Sequence, residues 1–389
     1  MRDKEFLMIP GPTPTPQSVL LALAKHPIGH RTPEFSQIFA DVLEGLRWLF
    51  QTKQDVITFA SSGSGAMEAA IYNTINPGDK VLCVVGGKFG ERWRDIALMK
   101  GADVDTIDVE WGKALEISIL EEILNEDTAK KIKAVCVTHN ETSTGVTNPL
   151  KDISEIVNKH GALLIVDAVT SLGAINMPFD EWNIDIAVSG SQKGFMLPPG
   201  LGFIALSEKA WKAVDRCNMP SYYFNLKSAR KNLLKNTTPY TPAVNLFVAL
   251  EAALKMMQEE GLENIFKRHA RLAACVQSAV PSLGMKLYVE DPCVRSNSIS
   301  AVCAPEGMNA DDFRKAMKKR FDISLAGGQE HLKGKIFRIG HLGFCSDRDI
   351  LATVSCIEVC LAELGYPVEF GKGSAEAAKV ILEYAKEGK

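Results

Sequence analysis

Seven short apolar runs lie between residues 55 and 206: DVITF at 55–59, KVLCVV at 80–85, ADVDTI at 102–107, IKAVCVTH at 132–139, ALLIVD at 162–167, IDIAVSG at 184–190 and LGFIAL at 201–206. Each is bounded by turn residues and is short for a helix, so each predicts a strand, the continuous ones buried on both faces. Between them lie stretches with helical apolar spacing, such as LKDISEIVNKHG. Strands alternating with helices predict an α/β protein around a largely parallel sheet.

A helix is expected over Pro33 to Phe50, and a long one over 243–261 breaks the alternation. After it, helices over 262–279, 310–320 and 348–364 mix with strands over 298–303 and 335–339, and the tail from 373 reads as a last amphipathic helix. The expected division is therefore an extended arm at 1–20, a large domain at 21–258 and a smaller C-terminal α/β domain at 259–389. Prolines at 10, 12, 14 and 16 argue for the arm, since each fixes φ and removes a donor.

Composition narrows the class. The chain has 389 residues, 46% apolar and 23% charged, enough to bury a sizeable core as a soluble protein. A net charge of -3 predicts no general affinity for nucleic acid or an acidic membrane surface. No uncharged apolar run approaches the ~18 residues of a membrane span, and the charged, proline-rich start has no apolar signal core. The nine cysteines are scattered without a CxxC pair, which predicts reduced thiols and no metal site. A cytoplasmic enzyme is the expectation.

Four features fall where an open α/β sheet binds ligands, beyond the carboxyl ends of its strands. ASSGSGAMEAA at 60–70 follows a strand and opens a helix. Its serines and glycines suit an anion at a helix N-terminus, or simply a Gly-rich turn. It is neither a Walker loop nor a dinucleotide fingerprint, for no GK[ST] follows and Glu68 stands at the third glycine position. Asp167 ends ALLIVD, where it could cap a helix, hold a magnesium ion or pair with a ligand cation. Lys193 sits in VSGSQKGFMLPPGLGF, between Ser189 and Ser191, which could orient it, and a stiff Pro-Pro-Gly. A lysine there is either solvated or desolvated into an amine nucleophile. Arg338, on the strand KIFRIGHLGF, needs an anion: a protein carboxylate or a substrate carboxylate bound bidentately. Phosphate cradle, strand-end acid, amine nucleophile and carboxylate clamp together suit pyridoxal 5'-phosphate (PLP) acting on an amino acid.

With these residues in view, the sequence closely resembles the class V aminotransferases of the alanine–glyoxylate / serine–glyoxylate (serine–pyruvate) type. The likeness runs nearly end to end, through PGPTPTP at 10–16, GHRTPEF at 29–35, SGSGAMEAA at 62–70, GGKFGERW at 86–93, THNETSTGV at 138–146, LLIVDAVTSLG at 163–173, SGSQKGFMLPPGLGF at 189–203, TTPYTPAVNL at 237–246 and RIGHLG at 338–343. It implies the PLP-dependent transferase fold of type I, with a mostly parallel seven-stranded sheet and a homodimer. By that similarity Lys193 carries the covalent link to PLP, and Asp167 pairs with the ring nitrogen. Ser64, Gly65, Ala66 and Gln192 lie at the phosphate. Phe89 stacks on the ring where many relatives have tryptophan. Thr142 touches the ring's 3-oxygen or the substrate, Arg338 holds the substrate carboxylate, and Tyr240 and Thr241 reach the phosphate of the neighbouring subunit. Ala66 replaces a histidine of the family. His30 and Arg31 would lie near the entrance, or start a helix.

The implied reaction is a ping-pong transfer of the amino group of alanine or serine to a small 2-oxo acid, glyoxylate or pyruvate. A same-fold lyase, such as a cysteine desulfurase, needs a mobile cysteine; FDISLAGGQEHLKG at 321–334 has none, and Cys345 has apolar neighbours. Relatives of this type also carry the label soluble hydrogenase small subunit. That points to a non-catalytic partner role, but no cysteines have iron–sulfur spacing. A nucleotide-binding protein is a third possibility, weakened by the missing Walker lysine and third glycine.

Overall fold

The computed structural model describes residues 5–386. All seven apolar runs enter one sheet, in the order Asp55–Ser61, Gly200–Leu206, Ile186–Gly190, Leu163–Asp167, Ile132–Thr138, Lys80–Val85 and Asp103–Asp108. Gly200–Leu206 runs antiparallel to both neighbours; the other pairings are parallel. The five residues of Leu163–Asp167 are all buried, as expected of a strand covered on both faces. Asp103–Asp108 departs from that expectation. It is the edge strand and is mostly exposed, and its three aspartates discourage pairing with another sheet.

Helices cover the sheet. Pro33–Phe50 starts where the sequence predicts, with Thr32 Oγ1 accepting from the Phe35 N–H and Pro33 in the first turn. It buries Phe35, Phe39, Val42, Leu46 and Leu49 on one face, each contributing roughly 1.5–3 kcal/mol when fully buried. Phe39 stacks on Phe247 of helix Val244–Glu260, with ring centroids 5.6 Å apart.

Gly261, at φ 81°, separates that helix from Leu262–Ser282, and a second hydrophobic core follows. Its five-stranded sheet has the order Phe6–Met8, Ile323–Gly327, Ile336–Gly340, Ile299–Cys303 and Lys286–Leu287. Ala310–Phe321, Asp347–Glu363 and Lys372–Lys386 are its other helices. The amino-terminal segment differs from the expected arm. Phe6–Met8 pairs in parallel with Ile323–Leu325, Met8 lies in the second core, and a helix, Gln17–Leu23, begins right after the last proline. The stretch between, 9–16, bends and belongs to neither element. The prolines block regular structure within 10–16 but not on either side of it.

Candidate active site

The sheet reverses its direction of growth between Lys80–Val85 and Ile132–Thr138, because the chain adds Asp103–Asp108 on one side before crossing to the other. A crevice forms beyond the carboxyl ends of strands at such a point. The segments leaving these two strands carry Phe89 and Arg92, in helix Lys88–Met99, from one side and Glu141 and Thr142 from the other. Asp167 closes the neighbouring strand, and Asp55–Ser61 delivers the chain to the SGSG turn.

Lys193 is drawn into this crevice by the amino-terminal segment. Its Nζ donates to the Pro10 carbonyl at 2.9 Å, while Thr13 binds the lysine loop twice, N–H to Gln192 O at 3.1 Å and Oγ1 to Lys193 O at 2.9 Å. A methyl group on Gly11 would lie 2.6 Å from Nζ. Ser191 does not orient the lysine, contrary to the sequence reading. Its Oγ donates to Pro198 O at 2.8 Å and accepts from Leu201 N–H, so it shapes the Pro-Pro-Gly exit, and Ser189 Oγ donates to Ala168 O. Short serine side chains reach the nearest backbone groups first.

Burial pushes the Lys193 amine down to about 8; Asp167 opposes this, and Arg338 and Arg92 add to it. Burial pushes the Asp167 carboxyl up to about 6, against the Val169 N–H and the charges of Arg92 and Lys193. Asp167 Oδ1 accepts from Val169 N–H at 2.8 Å, and no hydrogen bond to Oδ2 is found among the described residues. Arg338 projects from its strand opposite to Phe337 and Ile339, which enter the second core. Its Nε donates to Gly327 O at 2.9 Å and an Nη to Thr142 O at 2.8 Å, which fixes the guanidinium plane; no hydrogen bond from the second Nη is found among the described residues.

Sequence reasoning missed two charged residues here. Glu141 is 2% exposed and accepts from the Phe89 and Gly90 N–H groups and from Ser143 Oγ at 2.5 Å. Burial pushes its carboxyl up to about 7 despite those bonds. It anchors the start of helix Lys88–Met99 and so places Phe89. Arg92, one turn on, lies over the Phe89 ring at 4.7 Å and donates to Ser64 Oγ at 2.8 Å. Both residues sit in the motifs THNETSTGV and GGKFGERW, but those runs have no apolar period to show which side chains turn inward.

The SGSG turn starts helix Gly63–Thr74, with Ser62 Oγ accepting from the Gly65 N–H at 3.4 Å. Gly65 has no room for a Cβ beside Ser61 Oγ and Phe224. Thr142 Oγ1 lies 2.8 Å from Thr170 Oγ1. No contact between Lys193 and either Tyr240 or Thr241 is found among the described residues. Tyr240 stacks on Tyr223 at 5.4 Å and donates to Tyr222 O, at a surface where Tyr222 is 83% exposed. Arg31 braces that segment through Thr237 Oγ1 and Thr238 O, while Thr32, not His30 or Arg31, caps the helix.

The family described as "Aminotransferase class-V" matches residues 6–341. The chain belongs to the class V aminotransferases. A protein named "Soluble hydrogenase, small subunit" from Synechococcus sp. (strain PCC 6716) is 54% identical over 98% of this chain and 99% of its own. An L-aspartate–glyoxylate aminotransferase from Paracoccus denitrificans is 40% identical, over 97% of this chain and 96% of its own. The crystal structure of ureidoglycine–glyoxylate aminotransferase from Bacillus subtilis superposes with a TM-score of 0.92 at 30% identity, covering 98% and 99% of the two chains. This aminotransferase is thus a transaminase of the PLP-dependent fold, and its cofactor is pyridoxal 5'-phosphate.

The residues present fit that cofactor. Gln192 Oε1 is buried with no partner beside the SGSG turn, Asp167 keeps an oxygen available, and Lys193 offers a desolvated amine. An orphaned buried acceptor costs about 1–3 kcal/mol, and turning the amide over recovers this by presenting its N–H donors to a phosphate.

Proposed function

We propose that this aminotransferase moves the amino group of a small amino acid, alanine or serine, to glyoxylate or pyruvate. The observation that carries the reading is the convergence of a partly buried amine, Lys193, a buried carboxyl, Asp167, and a guanidinium, Arg338, braced by two backbone carbonyls. PLP, when bound, supplies an aldehyde for the amino group and a ring that takes up an electron pair. The chain supplies the rest. Arg338 clamps the α-carboxylate. Lys193 holds the cofactor and its Nζ moves the α-proton. Asp167 would face the ring nitrogen of the bound cofactor, where its carboxylate would favour a proton on that nitrogen. Ser64, Gly65, Ala66 and Gln192 receive the phosphate, Phe89 and Thr142 flank the ring, and Tyr240 and Thr241 complete the phosphate site of a second copy in a homodimer. The exposed tyrosine cluster supports that last assignment.

Two other readings have specific support. The Paracoccus relative's name favours aspartate as donor. The 54% identical relative's name favours a hydrogenase-associated role, against which stands the buried charged set, costly to maintain in a protein without chemistry. Initial rates with alanine, serine and aspartate, each against glyoxylate and pyruvate, test the reading. Parallel double-reciprocal lines with alanine or serine ahead of aspartate in kcat/KM are expected. Aspartate ahead overturns the donor assignment, and no transfer with any pair overturns the reaction.

A further inference from the structure

The SGSG turn carries no side-chain cation of its own. Ala66, the next residue, ends in a buried methyl that offers no donor. The cation comes from another helix. Arg92 lies one turn into Lys88–Met99, and its guanidinium is held from two sides, over the Phe89 ring at 4.7 Å and 2.8 Å from Ser64 Oγ. Ser64 is in the first turn of Gly63–Thr74, where free N–H groups and the helix dipole favour an anion. Arg92 is half-buried, yet among the described residues no carboxylate forms an ion pair with it. Its neighbour Arg94 pairs with Asp95, and Lys88 with Glu91 and Glu330. A partly desolvated guanidinium without a counterion, aimed at a helix N-terminus, is arranged for an anion that arrives with a ligand.

We propose that Arg92 is a ligand of the cofactor phosphate and supplies the positive charge that Ala66 cannot. This rests on the aminotransferase reading. Arg92 then couples two tasks, since the residue that holds the phosphate also rests on the ring that packs against the cofactor. With the cation on another helix, the N-terminus of Gly63–Thr74 is lined by small groups, so the phosphate can approach the backbone amides closely.

The test compares the affinity of the apoprotein for PLP and for pyridoxal, which lacks the phosphate, by titrating the near-visible absorbance. Arg92→Gln should weaken PLP binding by about tenfold or more, the size of one charge-assisted hydrogen bond, and change pyridoxal binding by less than about twofold. Arg92→Lys, which keeps a charge but not the fork, should fall between. Thermal unfolding of the apoproteins checks that both variants fold. Equal losses for PLP and pyridoxal, or unchanged PLP affinity in Arg92→Gln, overturn the proposal. Wild-type protein that binds neither compound removes the reading beneath it instead.

Discussion

Lys193 Nζ donates to the carbonyl oxygen of Pro10, 2.9 Å away and 183 residues earlier in the chain. The amino-terminal segment is therefore part of the lysine's surroundings. One side of it pairs with the second sheet and the other packs on the lysine loop, so this segment ties the two cores together at the site.

Gly11 tests that relationship. Its φ of +147° and the 2.6 Å that would separate an added methyl from Nζ mean that Gly11→Ala must move the amine. The atom displaced is the far end of a flexible side chain, so the fold yields little. We expect kcat to fall at least about tenfold, as for a misplaced catalytic group, with a loss of stability under about 2 kcal/mol. Steady-state kinetics beside thermal unfolding of the same variant reads both.

Arg338 depends on its plane. Arg338→Lys keeps charge but cannot bind Gly327 O, Thr142 O and a carboxylate together. KM for the amino donor should rise by about 10–100-fold, the loss of one charge-assisted bond, with cofactor absorbance retained. Unchanged KM would remove Arg338 from the substrate site.

The lysine's displaced titration sets a pH dependence. Below about 8 the amine is protonated and cannot attack, so the rate of PLP capture by apoprotein should climb through about pH 8 and level above it, well short of the ordinary 10.5. Between those values the unfolded chain binds the extra proton, so this group's contribution to stability rises with pH across that window. Stopped-flow absorbance against pH measures the first effect.

Asp167 trades stability for chemistry. Its folded value, about 6, lies above the ordinary 3.8, so the native apoprotein binds the extra proton between them and this group's contribution falls as pH rises through that range. Asp167→Asn removes the buried charge and keeps an acceptor for Val169 N–H. The apoprotein should gain about 1–2 kcal/mol at pH 7, while transamination collapses. Denaturant unfolding of both apoproteins gives the comparison; a less stable Asn variant would show the carboxylate to be compensated.

The desulfurase alternative makes an opposite prediction at Cys345. That thiol is buried in the second core and burial pushes it up to about 12, so it is neither mobile nor ionised. Cys345→Ser should leave transamination within about twofold, and L-cysteine should release no sulfide.

Much of this was legible in the chain. The seven strands of the large sheet, and helices such as Pro33–Phe50 and Ala310–Phe321, follow from apolar period and turn residues, which is local information. Lys193, Asp167 and Arg338 stood out as charges inside apolar sequence, and the fold brings their elements to one crevice. What escaped was non-local. Phe6–Met8 and Ile323–Gly327 stabilise each other as strands across more than three hundred residues, and neither is strongly patterned alone. Glu141 and Arg92 lie in polar runs, where burial is decided by loop paths and not by spacing. The serines near Lys193 were misread for a related reason, since proximity in sequence does not reveal which backbone carbonyl a hydroxyl will reach.

The most direct measurement is the near-visible absorbance of the purified, PLP-loaded protein before and after L-alanine or L-serine, with Lys193→Ala beside it. The account predicts a band that shifts on adding the amino acid and returns with glyoxylate or pyruvate, and a variant that shows no such reversible cycle. A wild-type protein that gains no band from PLP, or a Lys193→Ala protein that cycles as the wild type does, would contradict it.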